Sequence, residues 1–174
     1  MISFIVPTIG RPSLQRTLAS IEMVLGDEII VVGNVFPAID VRAKYISCVN
    51  GQDSGVKERR IGIDRASQRY LAFMDDDDMY VKGHRAAMSQ AITAAPGKPV
   101  LFKMQYVGGH TLWQDKEIRC GNVGTPMILI PNMPTKLGVW DDGGVSDFTF
   151  LRTMKWLASD VVWREEIIAQ VRPL

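Results

Sequence analysis

Three features of this sequence predict an α/β fold with a mostly parallel central sheet flanked by helices and mixed strands in its C-terminal half. The first 33 residues run from an apolar stretch through an amphipathic stretch to a second apolar stretch, the strand, helix, strand unit of a parallel sheet. Residues 69–74 are apolar on both alternating faces, as a strand buried between two helix layers requires. Beyond residue 99, short strand-like runs are joined by tight turns, so antiparallel pairs enter there.

Taken in order, Ile2 to Val6 reads as a buried strand closed by Pro7, followed by a turn-rich loop, Thr8 to Ser13. Leu14, Leu18, Ile21 and Leu25 then fall at helical spacing, with Pro12 and Ser13 suited to a helix start. A helix is predicted from about residue 12 to 25, ended by Gly26. Glu28 to Val32 is a second strand, and Tyr45 to Val49 a weaker third. The loop of residues 50–55 leads into a strongly cationic helix from Val56 to Ser67, with Lys57, Arg59, Arg60 and Arg65. The buried strand Arg69 to Met74 runs straight into Asp75, Asp76, Asp77 and Asp78. A helix over residues 81–95 is stopped by Pro96 and Gly97. Val100 to Val107 and His110 to Gln114 flank Gly108-Gly109, a hairpin signature. Met127 to Ile130 gives another short strand and residues 147–158 a helix; the tail 161–168 reads as a final strand pair or a short helix, its β-branching favouring the strands.

At 174 residues the chain suits one domain of roughly 150 residues. Its 47% hydrophobic and 22% charged residues exclude disorder and fibrous repeats. Twenty Lys and Arg against nineteen Asp and Glu leave a net charge of +1, without the basic excess that gripping a phosphate backbone requires, so nucleic acid is not an expected partner. Two cysteines, Cys48 and Cys120, form neither a disulfide framework nor a zinc cluster, which suits a reducing interior. The start lacks the basic lead-in of a signal peptide, and no run approaches the ~18 apolar residues that span a bilayer. A cytoplasmic protein with no transmembrane segment is the expectation.

Four consecutive aspartates at the end of a buried strand are the most informative feature. Where such a strand exits into a loop, neighbouring carboxylates converge and raise one another's pKa unless a cation neutralises them. Hard oxygen ligands suit Mg²⁺ or Mn²⁺, which keep positions open for water and phosphates. Carboxyl ends of parallel strands are also where ligands bind. A solvated acidic loop is the alternative reading.

The segments FIVPTIGRPSLQRTLASI, EIIVVGN and GVKERRIGIDRASQRYLAFMDDDD together resemble the nucleotide-binding half of the family-2 glycosyltransferases with the Rossmann-like GT-A fold. That pattern has a first strand with Pro-Thr, a second strand ending near an acidic residue, a helix with an Arg-Asn step, and an Asp-x-Asp motif. The resemblance covers roughly residues 3 to 80. It implies a single GT-A-like domain over 1–174, with 1–80 binding a nucleotide-diphosphate sugar and 81–174 on the acceptor side. It implies that Pro7, Thr8, Arg11, Asn34, Arg59, Asp75 and Asp76 bind the donor, with Asp75 near the ribose, and that Asp77 holds Mn²⁺ or Mg²⁺. Asp76 and Asp78 are alternatives for the Asp-x-Asp pair. Two positions depart from the pattern: Gly33-Asn34 stands where the family has its base-reading acid, which leaves the nucleotide open, and Arg60 replaces the Asn.

The stretch VSDFTFLRTM resembles the family's later acidic step, with Ser146 in place of Glu, and the resemblance implies Asp147 as the candidate catalytic base. Asp141 and Asp142 are reserves, and a helix cap is the alternative role for Asp147. In such an enzyme a metal stabilises the leaving diphosphate while a carboxylate takes the acceptor's proton, and one displacement inverts the anomeric centre. His84 and His110 have no nucleophile beside them and read as structural, His110 being a remote metal-ligand candidate. Trp140, in a loop, is the candidate platform for an acceptor sugar, and residues 120–127 a small-residue segment that a sugar can approach. The acceptor is left open as saccharide, protein or lipid-linked, with a homo-oligomer possible. The alternatives are a nucleotidyltransferase, which normally carries a Gly-rich basic loop after its first strand, and a non-catalytic nucleotide-sugar or carbohydrate-binding module.

Overall fold

The computed structural model describes residues 1–34, 40–49, 55–141 and 143–173. Among these, nine strands form one sheet: β1 (Ile2–Thr8), β2 (Glu28–Gly33), β3 (Ala43–Ser47), β4 (Tyr70–Phe73), β5 (Met79–Tyr80), β6 (Val100–Tyr106), β7 (Thr111–Leu112), β8 (Ile128–Pro131) and β9 (Val162–Val171). The order is β3-β2-β1-β4-β8-β6-β9-β5, with β7 paired to β6. The first four strands in this order are mutually parallel. β8 then runs antiparallel between β4 and β6, and β9 returns parallel to β6. The parallel half and the mixed half therefore fall where the sequence places them.

Among the described residues four α-helices cover the sheet: α1 (Leu14–Ser20), α2 (Val56–Arg65), α3 (His84–Ala94) and α4 (Ser146–Thr153). Side chains alternate across β1, so Phe4 and Val6 pack with Leu14 and Leu18 of α1 and Met88 and Ala91 of α3. Ile5 faces the other way, with Val56 of α2 and Phe150 and Leu151 of α4. Gly62 lets α2 lie close on β1, since a Cβ there would come within 2.4 Å of the Ile5 side chain. No helix among the described residues is long and apolar enough to cross a membrane.

Several ends differ from the sequence pattern, for tertiary reasons. α1 stops at Ser20 instead of residue 25, because Arg42 donates to the carbonyls of Leu18 and Ile21 at 2.7 and 3.0 Å and closes the helix there. α2 ends before Ser67, whose backbone N–H is taken by Glu28 Oε1 at 2.6 Å. The helix predicted to reach residue 158 ends at Thr153, and Lys155 N–H then turns to the Lys136 carbonyl at 2.8 Å. The tail is one ten-residue strand, β9, in place of the expected pair.

Candidate functional site

Because β1 and β4 are parallel neighbours, with Ile5 opposite Phe73, the loop after Thr8 and the four aspartates after β4 emerge at the same edge of the sheet. Between them lies a cleft of about 310 Å³, at the carboxyl ends of parallel strands. Pro7, Thr8 and Arg11 line it from the β1 side, Arg59 from α2, and Asp75, Asp76 and Asp77 from β4. Seven of the residues named from the sequence are thus brought together.

The four aspartates have different surroundings. Asp76, 3% exposed, accepts from Thr8 Oγ1 at 2.6 Å, from Ile9 N–H at 3.2 Å and from Arg11 at 2.6 Å. Its carboxylate is occupied in tying the β1 loop to β4. Asp75 pairs with the buried guanidinium of Arg59, which also lies 4.7 Å over the ring of Trp140. Asp78 is buried behind the others and accepts the backbone N–H of Arg172 at 2.9 Å. Burial, with Asp75 and Asp77 adding repulsion, pushes the Asp78 carboxyl up to about 7. Asp77 keeps a half-exposed carboxylate in the cleft, with Arg11 at 3.5 Å and Arg172 at 3.9 Å.

These donors fit a hard divalent cation in a limited way. Among the described residues no three acidic, histidine or cysteine side chains converge as a ready metal cage. An ion here would rest on Asp77, with Asp75 beside it, and complete its shell with water and phosphate oxygens, which is how Mg²⁺ is commonly bound.

Arg172 is a site residue that the sequence does not single out. It follows β9, lines the cleft and adopts φ +49, held there by the bond from its N–H to Asp78. Its side chain is 80% exposed, so its charge is presented at the mouth of the cleft. Glu58 also lines the cleft; a carboxylate within the cationic run of α2 was its one local signal. Gly55 starts α2 with φ +82, and a Cβ there would lie 3.0 Å from Arg59 Nη1 and 3.1 Å from Pro7 Cβ. Glycine is required at this position both for its conformation and for space.

Asp147 sits in the first turn of α4, where its Oδ1 accepts the N–H of Phe148 at 2.7 Å. That contact is to the next residue and is not a helix cap. Burial raises its pKa, and the Phe148 N–H opposes this; the charge of Asp75 raises it further and that of Arg59 lowers it. The two charged groups it feels are therefore those of the cleft, although Asp147 is not among the lining residues. Tyr106, half-exposed at the end of β6, feels Asp147, Asp78 and Arg172.

Other residues have different surroundings from those expected. Asn34 is exposed beyond β2, with its carbonyl against Gly10, and does not line the cleft. Trp140 is 1% exposed and stacked on Phe150 at 4.6 Å. It supports Arg59 from below and offers no face to an acceptor sugar. Asp141 is half-buried, and Asp142 lies outside the described residues. Gly124 packs against the Met104 methyl, which a Cβ would meet at 2.3 Å, so its smallness serves the core. His84 is buried, bonded to the Val81 carbonyl at 2.9 Å and stacked on Tyr80; His110 is exposed beside Tyr106.

No protein-family model and no curated protein sequence matches the chain. Solved structures do. A crystal structure of Staphylococcus aureus TarS matches with a TM-score of 0.74 at 16% identity, over 99% of this chain and 36% of that one. A TarS 1–349 structure in complex with UDP gives 0.69 at 16% identity, over 98% of this chain and 60% of that one. Its complex with UDP-GlcNAc gives 0.68 at 14%, over 99% and 58%. The chain spans between about a third and three fifths of these neighbours, and its mixed α/β fold is similar to theirs.

Proposed function

We propose that this chain carries the donor site and catalytic centre of a GT-A glycosyltransferase of the family-2 type, moving a sugar from a nucleoside-diphosphate donor to an acceptor hydroxyl. The observation that carries the reading is the cleft at the carboxyl ends of β1 and β4, where Arg11, Arg59 and Arg172 face Asp75 and Asp77. The neighbours with the same fold hold UDP and UDP-GlcNAc, which supports a nucleotide sugar as its occupant.

In this reading the nucleoside lies towards Pro7 and α2, and the diphosphate lies between Asp77, Arg11 and Arg172. Asp77, with Asp75, holds Mn²⁺ or Mg²⁺. When bound, the cation offsets negative charge on the leaving diphosphate. Arg172 and Arg11 place fixed positive charge at the same end, where it acts as the leaving group departs. Asp147 takes the acceptor hydroxyl's proton as that oxygen attacks the anomeric carbon, and a single displacement inverts the configuration. Apart from Arg172, residues 81–174 then serve the acceptor side. Asp147, half-buried in the first turn of α4, lies within the field of Asp75 and Arg59, which supports it as the base in this reading. The β1 loop, with Arg11 tied to Asp76, offers no Gly-rich cradle for a nucleotidyl transfer.

The reading is tested by incubating the protein with a panel of nucleotide sugars and Mn²⁺ and measuring nucleoside diphosphate release, with and without chelator. Release with at least one donor, suppressed by chelation, is expected. Absence of release and of binding across the panel would overturn it.

A further inference from the structure

We infer that Glu58 reads the nucleobase of the donor, so that the cleft takes a base presenting a ring N–H, namely uracil, thymine or guanine, in preference to adenine or cytosine. The inference rests on the nucleotide-sugar reading above. Glu58 lies in the first turn of α2, lines the cleft beside Pro7, Gly55 and Arg59, and is 2% exposed. Its Oε1 accepts from the Cys48 thiol at 3.6 Å. Its Oε2, equally buried, has no hydrogen-bond partner among the described residues. A buried carboxylate oxygen without a donor is costly, and such a group calls for an explanation. A ligand N–H arriving in the cleft supplies one.

Topology says which part of the ligand arrives there. Cys48 follows β3, and its N–H reaches the Gly33 carbonyl at the end of β2 at 3.4 Å, so Glu58 sits on the β2 and β3 side of the cleft. Arg172 follows β9, three places beyond β4 in the opposite direction along the sheet. A diphosphate held by Asp77 and Arg172 therefore directs its nucleoside towards Glu58. Among the described residues the end of β2 offers Gly33 and the exposed Asn34, neither of which is acidic. The carboxylate that the strand lacks is supplied by the helix.

A carboxylate accepts and cannot donate. Uracil and thymine present N3–H and guanine presents N1–H, each a donor to Oε2. Adenine and cytosine carry a lone pair at the corresponding ring nitrogen, which would face the carboxylate unfavourably, so that only their exocyclic amine, off to one side, remains to donate.

Titration calorimetry with UDP, GDP, CDP and ADP in the presence of Mn²⁺, on the full chain and on Glu58→Gln, tests this. The unaltered chain should bind UDP or GDP best. Glu58→Gln keeps the shape of the side chain and should keep Tm, yet weaken the preferred nucleotide by about 5–15-fold, because its amide oxygen still accepts the ring N–H but without the carboxylate's charge. It should also narrow the preference over CDP, because its amide donates to a ring nitrogen. An unchanged ratio of UDP or GDP to CDP in Glu58→Gln, or ADP or CDP binding best to the unaltered chain, would overturn the inference while leaving the donor cleft standing. Failure of all four nucleotides to bind would instead overturn the nucleotide reading beneath it. Should the variant not fold, the ranking on the unaltered chain decides the base class.

Discussion

Adjacent aspartates in this chain have unlike work because their neighbours differ. Asp76 gathers Thr8, Ile9 and Arg11 onto one buried carboxylate, whereas Asp77 keeps its carboxylate in the cleft. Asp76→Ala should lower stability by about 1–3 kcal/mol, the cost of leaving the Thr8 hydroxyl without its partner. Asp77→Asn should leave Tm unchanged and abolish the dependence of nucleotide binding on Mn²⁺. Thermal denaturation and titration of the two variants check the contrast. Asp147→Asn should bind donor normally and transfer about 10²–10⁴-fold more slowly, the usual contribution of a positioned base. A base works deprotonated, and burial holds the Asp147 pKa above the ordinary 3.8. Transfer by the unaltered chain should therefore rise with pH through that raised value and be lost below it, which a pH–rate profile measures. The sequence showed the four aspartates and their position at a strand end. It could not show their division of labour, which depends on Thr8, Arg11 and Arg172 arriving from elsewhere.

Elements were legible where the pattern is local and less so where a distant residue ends them. The apolar runs of β1, β2 and β4 are visible in order, as are the helices after β1 and before β4. The end of α1 depends on Arg42, and that of α2 on Glu28, both remote in sequence. Glu28 itself joins four pieces: it accepts from Ser3 Oγ of β1 at 2.7 Å, Lys44 of β3 at 2.6 Å, and both the N–H and hydroxyl of Ser67. Burial alone would raise its pKa, but the bonds from Lys44, Ser67 and Ser3 outweigh it and hold the carboxyl at about 2, against an ordinary 4.5. The depressed value means that this stability is present in full above pH about 4.5 and is lost as pH falls towards 2. Its size is of order 3 kcal/mol at 1.36 kcal/mol per pKa unit. Glu28→Gln should accordingly cost stability at neutral pH and match the unaltered chain near pH 2, as denaturant melts across that range will show.

At the scale of the whole molecule, the cleft joins the first strand to the last. Asp78 and Arg172 meet across 94 positions of sequence because β9 returns parallel to β6 and ends beside the aspartates. Nothing local in residues 161–174 announces this, and only the sheet order brings Arg172 to the cleft. Arg172→Ala should leave the fold intact, since its side chain is largely exposed and its backbone N–H is retained, while weakening diphosphate binding by about 1.5–3 kcal/mol. Titration with a nucleoside diphosphate and with the corresponding nucleoside separates that loss from any effect on the base. The place where a nucleotide binds is the most direct test. A crystal structure grown with a nucleoside diphosphate and Mn²⁺ should place the diphosphate between Asp77 and Arg172, with the nucleoside towards Pro7 and α2. A nucleotide bound elsewhere on the molecule, or an empty cleft at saturating ligand, would contradict it.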